Sequence, residues 1–379
     1  MMQRPLRTLL IGLAIIVYAV IFGEMFIRLV APEPLMPRYV TGAPDGVRAN
    51  MPNVAFRQWT PEVDVTIRYN DRGMRDDRPA PPLAKSVGEC RVALLGDSYF
   101  VGFESEYPQS FAKQLEDRLA ASGKNVRVLN FAVSGFGTAE DLVVLNSRVA
   151  PWRPDIVVMS WHASDPDDNI RSDLYRMVDG TLQPTGKPFL PGIAVSDRLM
   201  QSRVYRWLIE NSQIYSAVRE RAGVFTKSLL ANLRRQDAQQ AASEDASSIV
   251  DMAPEPQPVT FGPPLLDRAL VEATRDTSTA MGAHFLLFEI PTRSARTIFR
   301  SPLEKFLPDL AGVDVASPMA AFDNAARPDL KLYQEEGQLH WTTAGNALAA
   351  DVAAADIIRR GWLDGCSGAA VAEKSPIAP

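Results

Sequence analysis

The sequence predicts an α/β protein whose core is a parallel sheet with helices on both faces. Short, continuous apolar segments alternate with helical segments, and polar or glycine-rich turns follow most of the apolar ones. Strands that are buried on both faces have continuous apolar sequence, whereas half-exposed strands alternate polar and apolar residues. We therefore expect the main domain, residues 90–366, to be organised around one such sheet.

The individual elements follow from these local patterns. The strand candidates are RVALL (91–95), VRVLNFA (126–132), PDIVVMSW (154–161) and HFLLFEI (284–290). The helix candidates are residues 107–123, 138–150, 263–282 and 343–361. Gly123 and Gly361 are typical helix-ending residues, and Thr138 is the predicted N-cap of the second helix.

The first 30 residues predict a membrane anchor. Arg4 and Arg7 precede an uncharged apolar run over residues 8–23, and residues 8–30 are long enough for a helix to cross a bilayer. A cleaved signal peptide is the alternative, but no small-residue cleavage site follows the run. Positive residues before the span predict a cytoplasmic N-terminus, so we expect a single-pass protein of the inner membrane with its main domain on the extracytoplasmic side, in the periplasm.

Three further segments differ from the main domain in amino-acid composition and predicted structure. Residues 31–89 are rich in proline and turn residues and predict a stalk that packs on the main domain, with one strand at 63–70. Residues 170–262 predict an insertion with helices at 199–222 and 224–242 and a polar loop at 242–260. Residues 367–379 predict a disordered tail.

Composition excludes several classes of function. A net charge of −5 and a pI near 5.4 do not suit a nucleic-acid-binding protein. The three histidines are dispersed, which argues against a metal site, and the glycines at 135 and 137 lack the full dinucleotide fingerprint, so no cofactor is expected. The two cysteines, Cys90 and Cys366, bracket the main domain and are consistent with either a disulfide or two free thiols.

Polar residues follow the predicted strands at the edge where α/β sheets bind ligands. Ser98 follows the first strand, Gly135 the second and Ser164 the third, while His340 precedes the last helix. A histidine can accept the proton of a serine nucleophile, and backbone N–H groups in glycine turns can stabilise an oxyanion. The alternative for Ser98 is a helix N-cap. His162 and His284 lie at the ends of apolar strands and are predicted to be structural.

These residues resemble the sequence blocks of the SGNH, or GDSL-type, esterase/lipase superfamily. The similar segments are GDS (96–98), NFAVSGFGTAED (130–141), VVMSWHASDPDDN (157–169) and LHWTTAGN (339–346), with YNDRGMRDD (69–77) upstream. The resemblance implies a flavodoxin-like sheet. It also implies that Ser98 is the nucleophile, His340 the base, and the N–H groups of Ser98 and Gly135 oxyanion donors.

Two positions depart from the family pattern. Ser164 stands where members usually carry asparagine, and its hydroxyl is the remaining candidate for the third oxyanion donor. Gly337 and Gln338 stand where an aspartate usually precedes the histidine, so either Glu336 or a backbone carbonyl is expected to orient His340.

The predicted function is a membrane-anchored serine esterase that hydrolyses O-acyl esters of a glycan or lipid. An acyltransferase of envelope glycans would share the same first half-reaction. A non-catalytic protein that binds acylated glycan or scaffolds a complex is the alternative that the two departures suggest. The sequence identifies neither the substrate nor the oligomeric state.

Overall fold

The computed structural model describes residues 3–226, 229, 263–336 and 339–366. The helices in this part of the chain are α1 Gln3–Val30, α2 Ser98–Val101, α3 Phe111–Ala121, α4 Thr138–Val144, α5 Asp165–Ser172, α6 Ile193–Met200, α7 Arg203–Asn211, α8 at 213–226, α9 Pro263–Ala280, α10 Pro302–Phe306, α11 Met319–Ala325 and α12 Thr343–Arg359. The strands are β1 Val40–Gly42, β2 Arg48–Asn50, β3 Val54–Trp59, β4 Asp64–Tyr69, β5 Cys90–Leu95, β6 Val126–Asn130, β7 Ile156–Trp161, β8 Tyr175–Val178, β9 Thr181–Pro184, β10 His284–Glu289, β11 Thr292–Ala295, β12 Ile298–Arg300 and β13 Val315–Ala316.

The main sheet confirms the predicted fold class. Its five described strands are parallel and lie in the order β6-β5-β7-β10-β13. Counted along the chain this is the order 2-1-3-4-5, which is the flavodoxin-like arrangement. The strand order changes direction between β5 and β7, because β6 was added on one side of β5 and β7 on the other. The carboxyl end of β5 therefore lies at the switch point where ligands bind in such sheets.

Helices cover both faces of the sheet, and successive strand residues point to opposite faces. Val92 and Leu94 of β5 belong to a core that includes α3 and α12, whereas Ala93 and Leu95 belong to a core that includes α4 and α9. All four side chains are fully buried. This two-sided burial explains why the strand sequences are continuously apolar.

Residues 31–89 form two hairpins that pack on the main domain. β1 pairs with β2, and β3 pairs with β4; the latter confirms the strand predicted at 63–70. Phe56 and Ile67 of the second hairpin are buried in the same core as α3 and α12. This segment is therefore part of the folded body and not only a spacer.

The insertion differs from the prediction. The helix expected at 199–222 is divided among α6, α7 and α8, with breaks near Ser202 and Ser212. Each serine hydroxyl accepts an N–H from the first turn of the helix that follows, at 3.4 Å for Tyr205 and 3.1 Å for Tyr215. Serine competes in this way with helix continuation. Most of the helix predicted at 224–242, the loop at 242–260 and the tail at 367–379 lie outside the described residues.

The N-cap predicted at Thr138 is also wrong by one residue. Gly137 is the N-cap of α4, and the Glu140 carboxylate accepts its N–H at 3.1 Å. The Thr138 hydroxyl instead donates to Asp165 at 3.0 Å. The helix predicted to continue to residue 150 ends at Val144 and passes into a π-helical turn over Leu145–Val149.

A disulfide joins the two ends of the main domain. Cys90, the first residue of β5, forms a disulfide with Cys366, which follows α12.

Near the start of the chain, the segment Leu6–Val30 within α1 is long and apolar enough to cross a membrane, a property that it shares with signal sequences. Its apolar side chains are exposed in the isolated chain.

Candidate active site

Ser98 lies where the chain turns sharply from β5 into α2. Gly96 has φ +143°, and a Cβ there would lie 1.9 Å from the Ser160 hydroxyl oxygen of the neighbouring strand, so a side chain does not fit. Asp97 is the N-cap of α2 and accepts the Tyr99 N–H at 3.0 Å. The residue that caps the helix is therefore Asp97, and the alternative of Ser98 as the N-cap is wrong.

Ser98 and His340 meet across 242 residues of sequence. The Nε2 atom of His340 lies 2.8 Å from the Oγ atom of Ser98. His340 is buried, whereas Ser98 is half-buried. The serine hydroxyl is thus within hydrogen-bond distance of a base while part of the serine remains accessible to a substrate.

Glu104 completes a triad that sequence reasoning missed. Its Oε2 atom lies 2.7 Å from His340 Nδ1 and also accepts the His340 backbone N–H at 3.0 Å. A carboxylate at Nδ1 holds the ring proton there and leaves the Nε2 lone pair facing the serine. The Glu104 side chain is fully buried, which places this charge in a low-dielectric environment.

The loop that carries Glu104 explains how an acid only six residues after Ser98 reaches the histidine. Helix α2 has four residues and ends at Gly102, whose φ of +77° reverses the chain. Glu104 itself is in the left-handed region at φ +60°, and its N–H donates to Gln58 Oε1 at 3.1 Å. Leu339, directly before His340, is also left-handed at φ +62°. Strained backbone of this kind often occurs at functional sites.

The expectation that Glu336 or a backbone carbonyl orients His340 is wrong. Glu336 is exposed, and its backbone N–H donates to Glu62 at 2.7 Å. Glu104 occupies the position against Nδ1 instead. Gly337 and Gln338, where the family pattern has its acid, lie outside the described residues. A short helix followed by a glycine and then by an acid was the available signal, because such a turn returns the chain toward the strand end.

Gly135 lies in the loop between β6 and α4, at the same sheet edge as Ser98. Its φ is +75°, and the carbonyls on both sides of it are held by Arg48: Ser134 O at 3.3 Å and Gly135 O at 2.9 Å. In a trans peptide the N–H points opposite to the carbonyl, so the Ser134 contact directs the Gly135 N–H away from Arg48. The oxyanion role of Gly135 stays a prediction, with Arg48 as its positioning residue.

Ser164, the predicted third donor, is engaged with His162. Its Oγ atom lies 3.1 Å from His162 Nδ1, and its backbone N–H donates to the same nitrogen at 3.3 Å. Burial lowers the pKa of His162, which favours the neutral ring. The Tyr99 ring lies between the two imidazoles, 5.3 Å from the His162 centroid and 5.2 Å from the His340 centroid. His284 lies at the opposite end of the sheet, stacked on Trp362 at 4.7 Å.

A layer of buried acids supports the loops beneath the triad. Asp165 accepts the His162 N–H at 2.7 Å and the Thr138 hydroxyl, and burial raises its pKa well above the usual range. Burial also raises the pKa of Asp97. Among the described residues no group of three or more histidine, cysteine or acidic side chains has the geometry of a metal site.

Comparison with known proteins gives one curated relative. The chain is 30% identical over 100 residues to an arylesterase of Vibrio mimicus, a match that covers 25% of this chain. The match spans about half of that protein. No family model matches the sequence.

Similar solved structures include TesA (14% identity, TM-score 0.38), which aligns over 70% of this chain and 97% of that one. A lipase/acylhydrolase of Enterococcus faecalis is 16% identical with a TM-score of 0.37, and the alignment covers 72% of this chain and 96% of that one. The esterase EstA of a Pseudoalteromonas species is 14% identical with a TM-score of 0.37, and the alignment covers 72% of this chain and 98% of that one. The strand order of the main sheet, rather than these superpositions, identifies the fold. The chain's own sequence blocks resemble those of the SGNH/GDSL esterase/lipase superfamily, its sheet has the flavodoxin-like strand order, and part of it is similar to the arylesterase.

Proposed function

We propose that this protein is a serine esterase that hydrolyses O-acyl esters through a Ser98–His340–Glu104 triad. The hydrogen-bonded chain from Ser98 Oγ to His340 Nε2, and from His340 Nδ1 to Glu104 Oε2, is the observation that carries the proposal. A nucleophile, a base and an orienting acid within hydrogen-bond distance are the parts that acyl transfer requires. The activity of the arylesterase relative agrees with this chemistry.

The reaction follows from the direction of each hydrogen bond. Ser98 Oγ attacks the ester carbonyl carbon and its proton passes to His340 Nε2, which gives a tetrahedral oxyanion and an imidazolium next to the Glu104 carboxylate. The N–H groups of Ser98 and Gly135 would stabilise the oxyanion. The C–O bond then breaks, the alcohol leaves with the proton from Nε2, and an acyl-serine remains. Water attacks the acyl-serine and gives one proton to Nε2. Nε2 then returns this proton to Ser98 Oγ as the bond between the acyl carbon and Oγ breaks, which releases the carboxylic acid and restores free Ser98 and neutral His340.

Glu104 weakens the case for a non-catalytic protein. The departure at Gly337 suggested that the family's acid was lost, but an acid from another loop contacts the histidine. Only the departure at Ser164 remains. We therefore favour hydrolysis over a binding or scaffold role.

We further propose that α1 anchors the domain on the extracytoplasmic face of a membrane, with an acylated glycan or lipid as substrate. The length and apolar sequence of α1 support the anchor, and the arginines before it support the orientation. Transfer of the acyl group to a sugar hydroxyl would use the same acyl-serine and differ only in the acceptor.

Hydrolysis of p-nitrophenyl acetate by the full chain in detergent tests the esterase proposal. We expect Ser98→Ala to lower kcat by at least about 10³-fold, because no nucleophile remains. Ser122→Ala, which changes an exposed serine at the end of α3, is the control and should retain the wild-type rate. Equal rates for wild type and Ser98→Ala would refute the esterase proposal.

A further inference from the structure

The last turns of α1 are fixed to the junction between α7 and α8. Glu24 Oε1 accepts the Gln213 N–H at 2.8 Å, and Oε2 accepts the Ile214 N–H at 3.1 Å and the Ser212 hydroxyl at 2.9 Å. A carboxylate is favoured at this position because the first N–H groups of a helix are unpaired and carry partial positive charge. The Arg28 guanidinium donates to the Asn211 carbonyl at the end of α7. These contacts place the junction at the level where α1 would leave a membrane.

Helix α7 has three different faces. Ile209 is 1% exposed and, with the partly buried Tyr205, packs in the core of the protein. Val204 and Trp207, three residues apart, share a second face on which they are 75% and 62% exposed. This second face, which we call the α7 apolar face, continues to Asn211, the residue that contacts α1.

The third face of α7 carries two arginines and the half-buried Glu210, whose carboxylate accepts the Tyr39 hydroxyl. Arg203 and Arg206 lie beside the α7 apolar face and are exposed. Exposed apolar and aromatic residues bordered by arginines are typical of a helix that lies in the interface of a bilayer. Tryptophan is enriched at this depth because its ring is apolar and its N–H is polar.

Helix α8 runs in another direction. The Ser216 hydroxyl donates to the Pro34 carbonyl, and Arg219 donates to the Met36 carbonyl at 2.7 Å, so α8 follows the chain as it leaves α1. It therefore leads away from the end of the anchor. The exposed apolar face of α7 ends at Asn211, whose carbonyl accepts from Arg28 of α1.

We propose that the α7 apolar face rests in the headgroup layer of the membrane that α1 enters, with Arg203 and Arg206 at lipid phosphates. The inference rests on the proposed anchor, because α1 supplies the bilayer's position. It goes beyond the anchor in giving the folded domain a second membrane contact. A domain held at α1 and at α7 keeps a fixed orientation, so its active site stays at one height above the lipid.

Site-directed spin labelling of the full chain tests this inference. Both cysteines of the sequence are in the disulfide, so a single introduced cysteine is the only free thiol. We would label Val204→Cys and Trp207→Cys in vesicles of phosphatidylcholine with about one-third anionic phosphatidylglycerol. Val87→Cys, in a loop where Val87 is 98% exposed, is the aqueous control, and Ile16→Cys, in the middle of α1, is the lipid control.

For each label, relaxation by oxygen is compared with relaxation by a water-soluble nickel complex. We expect the ratio of the two to be several-fold higher at positions 204 and 207 than at position 87. Labels at 204 and 207 that match position 87 while position 16 is in lipid would overturn this inference and leave the anchor intact. A water-accessible label at 16 would overturn both the anchor and this inference. Hydrolysis of p-nitrophenyl acetate by the same labelled samples reports separately on the esterase proposal.

Discussion

Glu104 and Glu336 differ in their position relative to His340, and only the fold shows this difference. Both are glutamates close to a member of the Ser98–His340 pair in sequence, six and four residues away respectively. Glu104 is buried against the imidazole, whereas Glu336 is exposed. Sequence distance to the histidine favoured Glu336, but the left-handed turn after α2 delivers Glu104. The two residues are therefore a matched pair for mutagenesis.

We expect Glu104→Gln to lower kcat by about 10³–10⁴-fold, with Glu336→Gln within about twofold of wild type. The glutamine amide can donate to Nδ1, which would move the ring proton to Nε2 and remove the lone pair that accepts the serine proton. Steady-state hydrolysis of p-nitrophenyl acetate measures both variants. A large loss in Glu336→Gln with normal activity in Glu104→Gln would show that the sequence expectation was correct.

The two hairpins of residues 31–89 form hydrogen bonds with two loops of the candidate site. Arg48 of β2 holds the loop that contains Gly135, and Gln58 of β3 receives the N–H of Glu104. Asn50 donates to the Ala132 carbonyl at 3.0 Å. This segment was predicted as a stalk because proline and turn residues dominate it; its contacts with loops far along the chain have no local sequence signal.

We expect Arg48→Lys to lower kcat about 10–100-fold while KM changes less than about threefold. Lysine keeps a positive charge near the buried Glu140, which lies 3.1 Å from Arg48, but it lacks the fork that reaches two carbonyls. The kcat loss with a stable KM would report a misplaced oxyanion donor. A loss of activity that is accompanied by a lowered melting temperature would indicate a purely structural role for Arg48.

Helices α4, α5 and α9 are joined through a buried polar chain that depends on pH. Asp267 Oδ1 accepts from Asn169 Nδ2 at 2.8 Å, and Asn169 Oδ1 accepts the Ala139 N–H at 2.8 Å. Burial raises the pKa of Asp267 to about 7. Because the folded-state pKa is above the unfolded value, this group stabilises the fold fully at low pH, and that stabilisation is lost as pH rises toward 7.

Asp267→Asn should therefore be more stable than wild type above pH 7, since its amide resembles the protonated acid. We expect the difference in unfolding free energy to grow by about 1 kcal/mol per pH unit between pH 5 and 7 and then to level off. Denaturant unfolding at pH 5, 6, 7 and 8 measures it. A difference that stays constant over this range would contradict the raised pKa.

At the scale of the whole molecule, the disulfide closes the main domain on itself. Cys90 and Cys366 are separated by 276 residues, and both are buried. They join the first strand of the sheet to the segment after the last helix. The sequence showed that the two cysteines bracket the domain, but the distance between them depends on where α12 packs, which is a tertiary property.

Replacement of both cysteines by alanine should lower stability by roughly 2–5 kcal/mol, because the cross-link restricts a long loop in the unfolded chain. Thermal unfolding of the double variant beside untreated and reduced wild type measures the effect. A thiol assay in denaturant should find no free cysteine in the untreated protein. Two free thiols, with a melting temperature that reduction does not change, would contradict the pairing.

The sequence predicted the sheet, its parallel strands and the pair of Ser98 and His340, because continuous apolar strands and polar strand ends have clear local patterns. It did not predict Glu104, the bracing hairpins or the breaks at Ser202 and Ser212. These features depend on left-handed turns, side-chain caps and contacts between distant segments, which one sequence does not show.

The most direct test of the triad is the rate and position of phosphonylation by a fluorophosphonate probe. We predict that the probe modifies Ser98, as mapped by peptide mass spectrometry. We also predict that Glu104→Gln and His340→Ala slow the modification by at least about 10²-fold while Glu336→Gln does not. Modification at another serine, or an unchanged rate at Ser98 in all three variants, would contradict the account.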